Sequence, residues 1–572
     1  MSYLNKRSRQ NNTFDAIVIG TGISGGWAAK ELCEKGLKTL VLDRGRMVKH
    51  LEDYPTMNKH PWELPYGNRL TPREIKEDYP VQSRTEYAVK QDTKHFFVKD
   101  SEHPYNEVKK FTWMRGYHVG GKSLTWARWS LRWSNIDFEG NARDGIAIDW
   151  PIRYADIEPW YDYVENYIGV SGRKDQLPQF PDGQFLPPWD MNCAERHLEQ
   201  KLLEHYDDRI LTLGRTSNIT VGHGGRAPCQ ARNLCRRGCP YGAYFSSNAV
   251  TLPAAERTGN MTLRPHSIVH TIVYDKEKKR ASGVRIIDAE TKETIEYQAR
   301  IIFVCASTLA STQILLHSTS DAFPDGLGNT SGELGHNIMD HHFRTGAYGV
   351  LEGYEDQYYK GRRPTGVIVP RFQNIDARTR RKDYLRGFSC YGGGSREGLW
   401  RAGEEKAVQF GAALKRDLVT PGPWTFNFNA FGECLPYQEN RVFLDYERTD
   451  RWGLPTLSID VGFKENEKAM RKEMMTSCAE MLDVAGFKNI ETYDDDSEPG
   501  LGIHEMGSAR MGRDPKTSVL NRWNQMHEVP NVFVTDGSCM VSSAWQNPSL
   551  TYMALTARAV DYAVGELKKM NL

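Results

Sequence analysis

The stretch Phe14-Asp-Ala-Ile-Val-Ile-Gly20-Thr21-Gly22-Ile23-Ser24-Gly25-Gly26 decides the fold class. An apolar run of strand length ends in glycines spaced as in the dinucleotide fingerprint, and an alanine-rich helical stretch, Trp27 to Lys35, follows at once. The glycines serve a tight turn, close approach of a pyrophosphate and helix–strand packing, and the helix start aims its free N–H groups at phosphate. Lys38-Thr-Leu-Val-Leu-Asp43 reads as the next strand, and its acid, 23 residues after Gly20, falls where a ribose hydroxyl is held, with Arg44 beside it. A glycine triplet alone is a weak signal. Strand, turn, helix, strand and terminal acid in that order specify a Rossmann-type nucleotide-binding unit.

Three further segments lean toward FAD rather than NAD. Arg115-Gly-Tyr-His-Val-Gly120-Gly121-Lys-Ser123 is a second glycine-rich turn, able to bring backbone amides against phosphates or a ring. Arg300-Ile-Ile-Phe-Val-Cys-Ala306 is a late strand that leads through Ser307 into the helical Ser311 to His317. Asn531-Val-Phe-Val-Thr-Asp536-Gly537-Ser538 is another strand with an acid and a glycine at its carboxyl end, where open α/β sheets bind ligands.

With these segments in view the chain resembles the glucose-methanol-choline (GMC) family of FAD oxidoreductases along nearly its whole length. The motifs are specific at both ends: the Gly20/Gly22/Gly25 loop with Asp43, the Gly120-Gly121 turn, and Asp536-Gly537 followed by Asn547-Pro548 and Thr551. The second family signature is degenerate around Ser307 to Leu316. The resemblance implies an α/β fold in which a Rossmann-type FAD-binding domain (12–150, 240–345 and 499–572) carries an antiparallel-sheet, α+β substrate domain (346–498). It implies an adenine-side segment at Ser267-Ile-Val269-His-Thr-Ile272, with Ala306 beside it in the cofactor site. Members that tether their flavin do so through a histidine beside the double glycine; the matching place here holds Thr125, so the flavin is expected to be bound non-covalently.

His504 lies in Gly502-Ile-His-Glu-Met-Gly507, and Asn547 follows 43 residues later in Trp545-Gln-Asn-Pro548. The pair matches the family's active-site pair, His/His in some members and His/Asn here. Removing a hydride from an alcohol carbon requires the hydroxyl proton to leave, and a neutral imidazole suits that task at ordinary pH. An uncharged amide would hold the same hydroxyl while leaving the base's pKa largely undisturbed. In the substrate region, aromatic residues and carboxamides alternate through Trp424, Phe426, Asn427, Asn429 and Tyr437, a mixture suited to a sugar and equally to a strand with one wet face.

Cys229, Cys235 and Cys239 crowd one segment, 215–245, of a chain with ten cysteines. Three readings compete. A structural zinc site wants four ligands, and His223 is a candidate fourth. A redox disulfide needs two of the three. An iron-sulfur cluster takes closely spaced thiolates in runs that often finish in Cys-Pro, as at Cys239-Pro240. The spacing also resembles that of catalytic subunits of bacterial FAD-dependent glucose dehydrogenases and glucoside 3-dehydrogenases, in which three cysteines hold a [3Fe-4S] cluster. Arg232, Arg236 and Arg237 interleave the cysteines as offsetting charge, a face for an acidic partner, or solvated surface. The scattered remaining cysteines read as reduced core residues.

With 572 residues and 39% hydrophobic composition, the chain can bury a two-domain core. The net charge of +1 comes without a basic tract, which speaks against nucleic acid, and no apolar stretch is long enough to span a membrane. Met1 to Thr13 lacks the apolar run of a secretory signal, and Arg7 and Arg9 make no twin-arginine pair. The resemblance, most of all to the glucoside 3-dehydrogenases, implies oxidation of a sugar or glucoside at C3 to a 3-keto sugar, with electrons leaving to a c-type cytochrome. The resemblance implies a periplasmic enzyme co-exported with a small subunit; a cytoplasmic enzyme is the alternative. An oxygen-using pyranose oxidase with structural cysteines and a redox-inert FAD carrier are the competing functions. The insertion 46–104, with Tyr54, Trp62, Tyr66 and Tyr79, is either a lid or a partner surface.

Overall fold

The computed structural model describes residues 12–572 except 359–360, 362 and 397–409. The polar lead-in lies, up to residue 11, outside the described residues. In the Thr13–Ile19 strand, Ala16 and Val18 face one way, Ile17 and Ile19 the other, and all four are buried. A strand buried on both faces belongs inside a parallel sheet covered on both sides. Met261–Arg264, Thr39–Leu42, Thr13–Ile19 and Thr294–Val304 lie side by side in parallel, with Val532–Val534 beside the end of Thr294–Val304. Arg280–Asp288 and Ser267–Asp275 add an antiparallel wing to complete seven strands. Ala16, Val18, Val41, Phe303 and Phe533 pack on helices Ile23–Glu34 and Ser549–Lys568 through Ala28, Leu32, Val560 and Ala563. The opposite face joins the larger core around Trp133, Trp150 and Tyr161.

The first helix begins at Ile23, earlier than the alanine-rich stretch alone suggests, so the turn is compressed between two strand ends. Gly20 adopts φ +98°, and a Cβ there would lie 2.5 Å from the Cys305 carbonyl oxygen. A Cβ on Gly25 would lie 2.0 Å from the Gly20 carbonyl oxygen. These two positions fix how closely the helix approaches the sheet.

The second sheet is antiparallel, in the order Lys488–Asp494, His342–Leu351, Trp424–Gly432, Phe388–Arg396, Val367–Val369 and Thr212–Leu213. Helix Glu465–Val484 covers one face, burying Met470, Met474 and Met481 against Phe426, Phe428 and Cys390. Two details differ from the sequence boundaries. The outermost strand comes from residues 212–213, far upstream of 346. Arg441–Thr449 leaves this sheet to pair with Pro455–Asp460, itself parallel to Asn106–Glu107. Strand propensity reveals that a segment is extended; it does not reveal the partner.

The described part of the insertion 46–104 holds short helical turns and the helix Pro72–Glu77. Tyr54 and Tyr79 are buried, whereas Trp62 and Tyr66 are exposed, so the insertion has an inner and an outer face.

Gly25→Ala must displace the Gly20 carbonyl and is expected to cost about 1–3 kcal/mol by overpacking. Gly565→Ala, inside the last helix with open space at its Cβ, is expected to be neutral or stabilising by about 0.5–1 kcal/mol. Urea midpoints of the FAD-loaded variants check both.

Candidate active site

A cavity of about 400 Å³ runs between the carboxyl ends of the parallel strands and the second sheet. Gly20, Gly22, Ile23, Ser24, Asp43 and Arg44 line one end, and Val269 lies there too. Arg115, Gly121, Ser123 and Thr125 form a wall, and Ala306, Ser307, Asp536, Gly537 and Pro548 close the opposite side. His504 and Asn547 line the same space. The two glycine-rich turns meet, since a Cβ on Gly121 would sit 3.4 Å from the Gly22 Cα.

Three of the residues expected at the cofactor lie outside this lining. Gly25 is taken up by helix packing. Gly120 abuts the Asn248 side chain, leaving the following glycine to face the cavity. Thr551 is buried with its hydroxyl 2.7 Å from the Tyr161 hydroxyl, because the first turn of the last helix rotates it into the core. Asp536 reaches the cavity, yet its carboxylate accepts hydrogen bonds from Ser538 N at 3.0 Å and from the Ser311 and Ser538 hydroxyls. Asp43 accepts from Gly45 N at 2.9 Å and from the Thr21 hydroxyl, which orients it at the strand end.

At the reacting end the side chains form a directed chain of hydrogen bonds. The Ala544 carbonyl can only accept, so His341 Nε2 carries the proton between them. Burial pushes His341 down to about 4, so it is neutral and its Nδ1 is bare. His504 Nδ1, 2.8 Å away, must then donate to it, which leaves His504 Nε2 without a proton. Asn547 Nδ2 lies 3.1 Å from that nitrogen and donates to it, while Asn547 Oδ1 accepts the Tyr391 hydroxyl at 2.8 Å. Each donor meets one acceptor, and both the amide orientation and the tautomers follow.

Burial, then the neighbouring His341 and Lys122, holds the His504 imidazole well below its ordinary range. Asp340 accepts backbone N–H bonds from Gly500 at 2.8 Å and from Gly502 and His504 at 3.0 Å, fixing the loop that carries the base. Its own carboxyl is pushed up to about 7 by burial and then by Glu505. The site therefore presents a neutral imidazole nitrogen, a side-chain amide and an apolar wall of Phe343 and Phe431, a setting for removing a proton from a hydroxyl. Sequence reading misses Asp340, His341 and Tyr391. The adjacent His341 and His342 are the one local signal, and only His341 faces the base.

Models of the GMC oxidoreductase family match residues 218–343 and 436–556. The chain is 30% identical to 2-methyl-1,2-propanediol dehydrogenase of Mycolicibacterium austroafricanum over 96% of its own length and 94% of the relative's. The chain is a GMC oxidoreductase. It is also 26% identical to the fructose dehydrogenase large subunit of Gluconobacter japonicus, covering 98% of this chain and 100% of that one. The crystal structure of a pyridoxine 4-oxidase from Mesorbium loti shares the fold, with a TM-score of 0.59, 14% identity and coverage of 96% and 99%. As a GMC oxidoreductase the protein is an FAD enzyme acting on alcohol-type donors.

The cavity of this GMC enzyme fits that cofactor. Gly22 caps the first helix with no side-chain bond and nothing within 4 Å of a Cβ, so the amides of the first turn face open space where a pyrophosphate belongs. The histidine nearest the double glycine, His118, packs on Phe96 and does not line the cavity, while Thr125 does.

The cysteine segment lies beside the cavity. Cys229, Cys235 and Cys239 are free, partly buried thiols, and burial, with Cys235 and Cys239 nearby, pushes Cys229 up to about 11. Among the described residues no three His, Cys, Asp or Glu side chains converge on one metal-ion position. His223 Nε2 instead lies 2.8 Å from the Asn166 carbonyl, which counts against the zinc reading. All three interleaved arginines donate to the insertion, Arg236 to the Tyr87 carbonyl at 3.2 Å. Arg232 donates to the Met57 carbonyl at 2.7 Å, and Arg237 pairs with Asp92 at 2.6 Å and donates to the Lys59 carbonyl at 2.9 Å. The insertion is thereby held against the cysteine loop, and its Tyr87, Ala88 and Phe97 line the cavity.

Because burial depresses His504, the base stays unprotonated as pH falls through the usual imidazole range. Between about pH 8 and about pH 6, anaerobic flavin reduction by an alcohol is expected to show no step from the base itself, any change there coming from Asp340 near 7 and disappearing in Asp340→Asn; a loss centred near pH 6.5 that persists in that variant would contradict the arrangement. Tyr391→Phe removes the bond that orients Asn547 and is expected to slow flavin reduction about tenfold with FAD content unchanged, as read by stopped-flow absorbance.

Proposed function

We propose that this enzyme is a dehydrogenase for a sugar or glucoside, oxidising a secondary hydroxyl, C3 in our reading, to a ketone. His504 Nε2 takes the hydroxyl proton, Asn547 holds the same oxygen through its amide, and Tyr391 keeps that amide turned toward the substrate. The glycine turns, Asp43 and the 536–548 segment would hold FAD, which when bound would supply the hydride acceptor. Phe343 and Phe431 keep bulk water from the base. The observation that carries the reading is the directed chain from Ala544 to Tyr391, which keeps His504 Nε2 unprotonated and holds its lone pair on the Asn547 amide, a bond that a substrate hydroxyl entering between the two would replace.

In this reading Cys229, Cys235 and Cys239 would hold a [3Fe-4S] cluster, which when bound would supply one-electron transfer to a c-type cytochrome. What supports it is donor chemistry alone: three free, partly buried thiols on one loop whose Arg236 lines the flavin cavity, thiols that do not converge on one position in this structure. One relative is by name the large subunit of a fructose dehydrogenase, which accords with a smaller partner subunit; that this partner carries the export address to the periplasm is part of the proposal. No helix among the described residues is long and apolar enough to cross a membrane.

Iron and sulfide analysis of anaerobically purified protein, with electron paramagnetic resonance, tests the cluster directly. His504→Ala is expected to lower sugar-driven flavin bleaching by at least about a hundredfold while FAD stays bound. Cys235→Ser is expected to depress cytochrome reduction far more than bleaching; equal losses in both would remove the cluster from the electron route. Vigorous peroxide release with glucose would select the oxidase instead.

A further inference from the structure

A second, wider cavity of about 1200 Å³ opens outside the first. The two share a neck formed by Tyr87, Ala127, Arg128, Trp129 and Arg236. Most cations around the outer space are already committed. Arg237 is paired with Asp92 and Arg363 with Glu195, each at 2.6 Å, and Arg196 donates to the Met191 carbonyl. The two arginines of the neck differ. Arg128 donates to the Trp126 carbonyl and Arg236 to the Tyr87 carbonyl at 3.2 Å, and neither forms an ion pair among the described residues.

Arg128 is 7% exposed, and its buried Nε has no hydrogen-bond partner. Its backbone is held at φ +67°, a conformation that a non-glycine residue keeps only where the surroundings impose it. The guanidinium groups lie on aromatic faces, Arg128 at 5.3 Å from the Tyr244 centroid and Arg236 at 4.6 Å from that of Tyr87. Both guanidinium groups line the same neck, with Asp92 the carboxylate nearest Arg236 but already paired with Arg237. Two like charges gathered in a half-desolvated neck, neither in an ion pair among the described residues, are unfavourable unless an anion joins them.

We propose that Arg128 and Arg236 form a recognition site for a carboxylate or phosphate carried by the alcohol substrate, so that the preferred substrate is a sugar acid or sugar phosphate rather than a neutral sugar. The proposal rests on the alcohol-oxidising reading of the inner cavity. Both arginines line the inner cavity together with His504 and Asn547, so one molecule can meet all four; Trp129, the residue after Arg128 in the chain, meets the Tyr391 ring edge-on at 4.6 Å, and Tyr391 bonds Asn547.

Methyl glucoside, methyl glucuronoside and methyl glucoside 6-phosphate share the ring hydroxyls and differ only at C6. In anaerobic bleaching of the FAD-loaded enzyme, at least one of the two anions is expected to half-saturate at a concentration about tenfold or more below the neutral glucoside, and whichever does identifies the group. In Arg236→Gln that ratio is expected to collapse toward one, and in Arg236→Lys to survive in part. A neutral glucoside that half-saturates as readily as both anions overturns the proposal. So does an Arg236→Gln variant that keeps the preference but loses iron or shifts the cluster's potential, which would make the arginine a countercharge for the cysteine loop. If none of the three bleaches the flavin, the alcohol reading fails, and calorimetry with inorganic phosphate on the same protein decides the site: binding lost in Arg236→Gln supports it, and no binding to wild type refutes it.

Discussion

The reacting end of this enzyme hangs on one backbone carbonyl. Ala544 offers an acceptor that cannot donate, and that asymmetry propagates through His341 and His504 to Asn547, fixing two tautomers and an amide orientation. Reversing any one bond would set donor against donor or acceptor against acceptor in a buried site, at a desolvation cost of about 1–3 kcal/mol per unsatisfied group. The apolar surroundings that make such an error costly also keep both imidazoles neutral. Base strength and base orientation thus have a common origin in burial.

The rest of the architecture brings the pieces of this chain together from distant parts of the sequence. Asp340 and His341 precede the first long strand of the antiparallel sheet, Tyr391 belongs to another strand of it, and Ala544 and Asn547 precede the last helix of the nucleotide domain. The cavity forms where the two sheets meet. Arg232 and Arg237 extend the same economy to the insertion, whose outer aromatics stay in solvent while its inner face roofs the cavity.

The nucleotide domain was legible because its constraints are local: a glycine that must turn at positive φ, a helix that must approach a strand, an acid at a strand end. His504 and Asn547 were legible through motif context. Tyr391 and His341 were not, because a tyrosine in a strand and a histidine in a pair acquire meaning only when sheet pairing brings them to Asn547 and His504. Thr551 illustrates the opposite error, since helical phase turns a motif residue into the core toward Tyr161. Arg441–Thr449 was legible as a strand but not as a member of the small sheet, since pairing depends on partners that a single segment does not encode.

Ala544 and Asn547 lie three positions apart, so one short loop grips the two histidines at two points, while Asp340 ties His504 to the segment that carries His341. Two points of contact set an angle as well as a distance, which gives the base its aim. One of the two is a carbonyl, and a carbonyl is carried by every residue. Alanine at 544 is therefore replaceable in its side chain as far as this role goes, whereas the path of the backbone there is not. Ala544 is fully buried in the main core, so a larger side chain there would act on the base by pushing this backbone aside, spoiling the enzyme's aim without altering a catalytic residue.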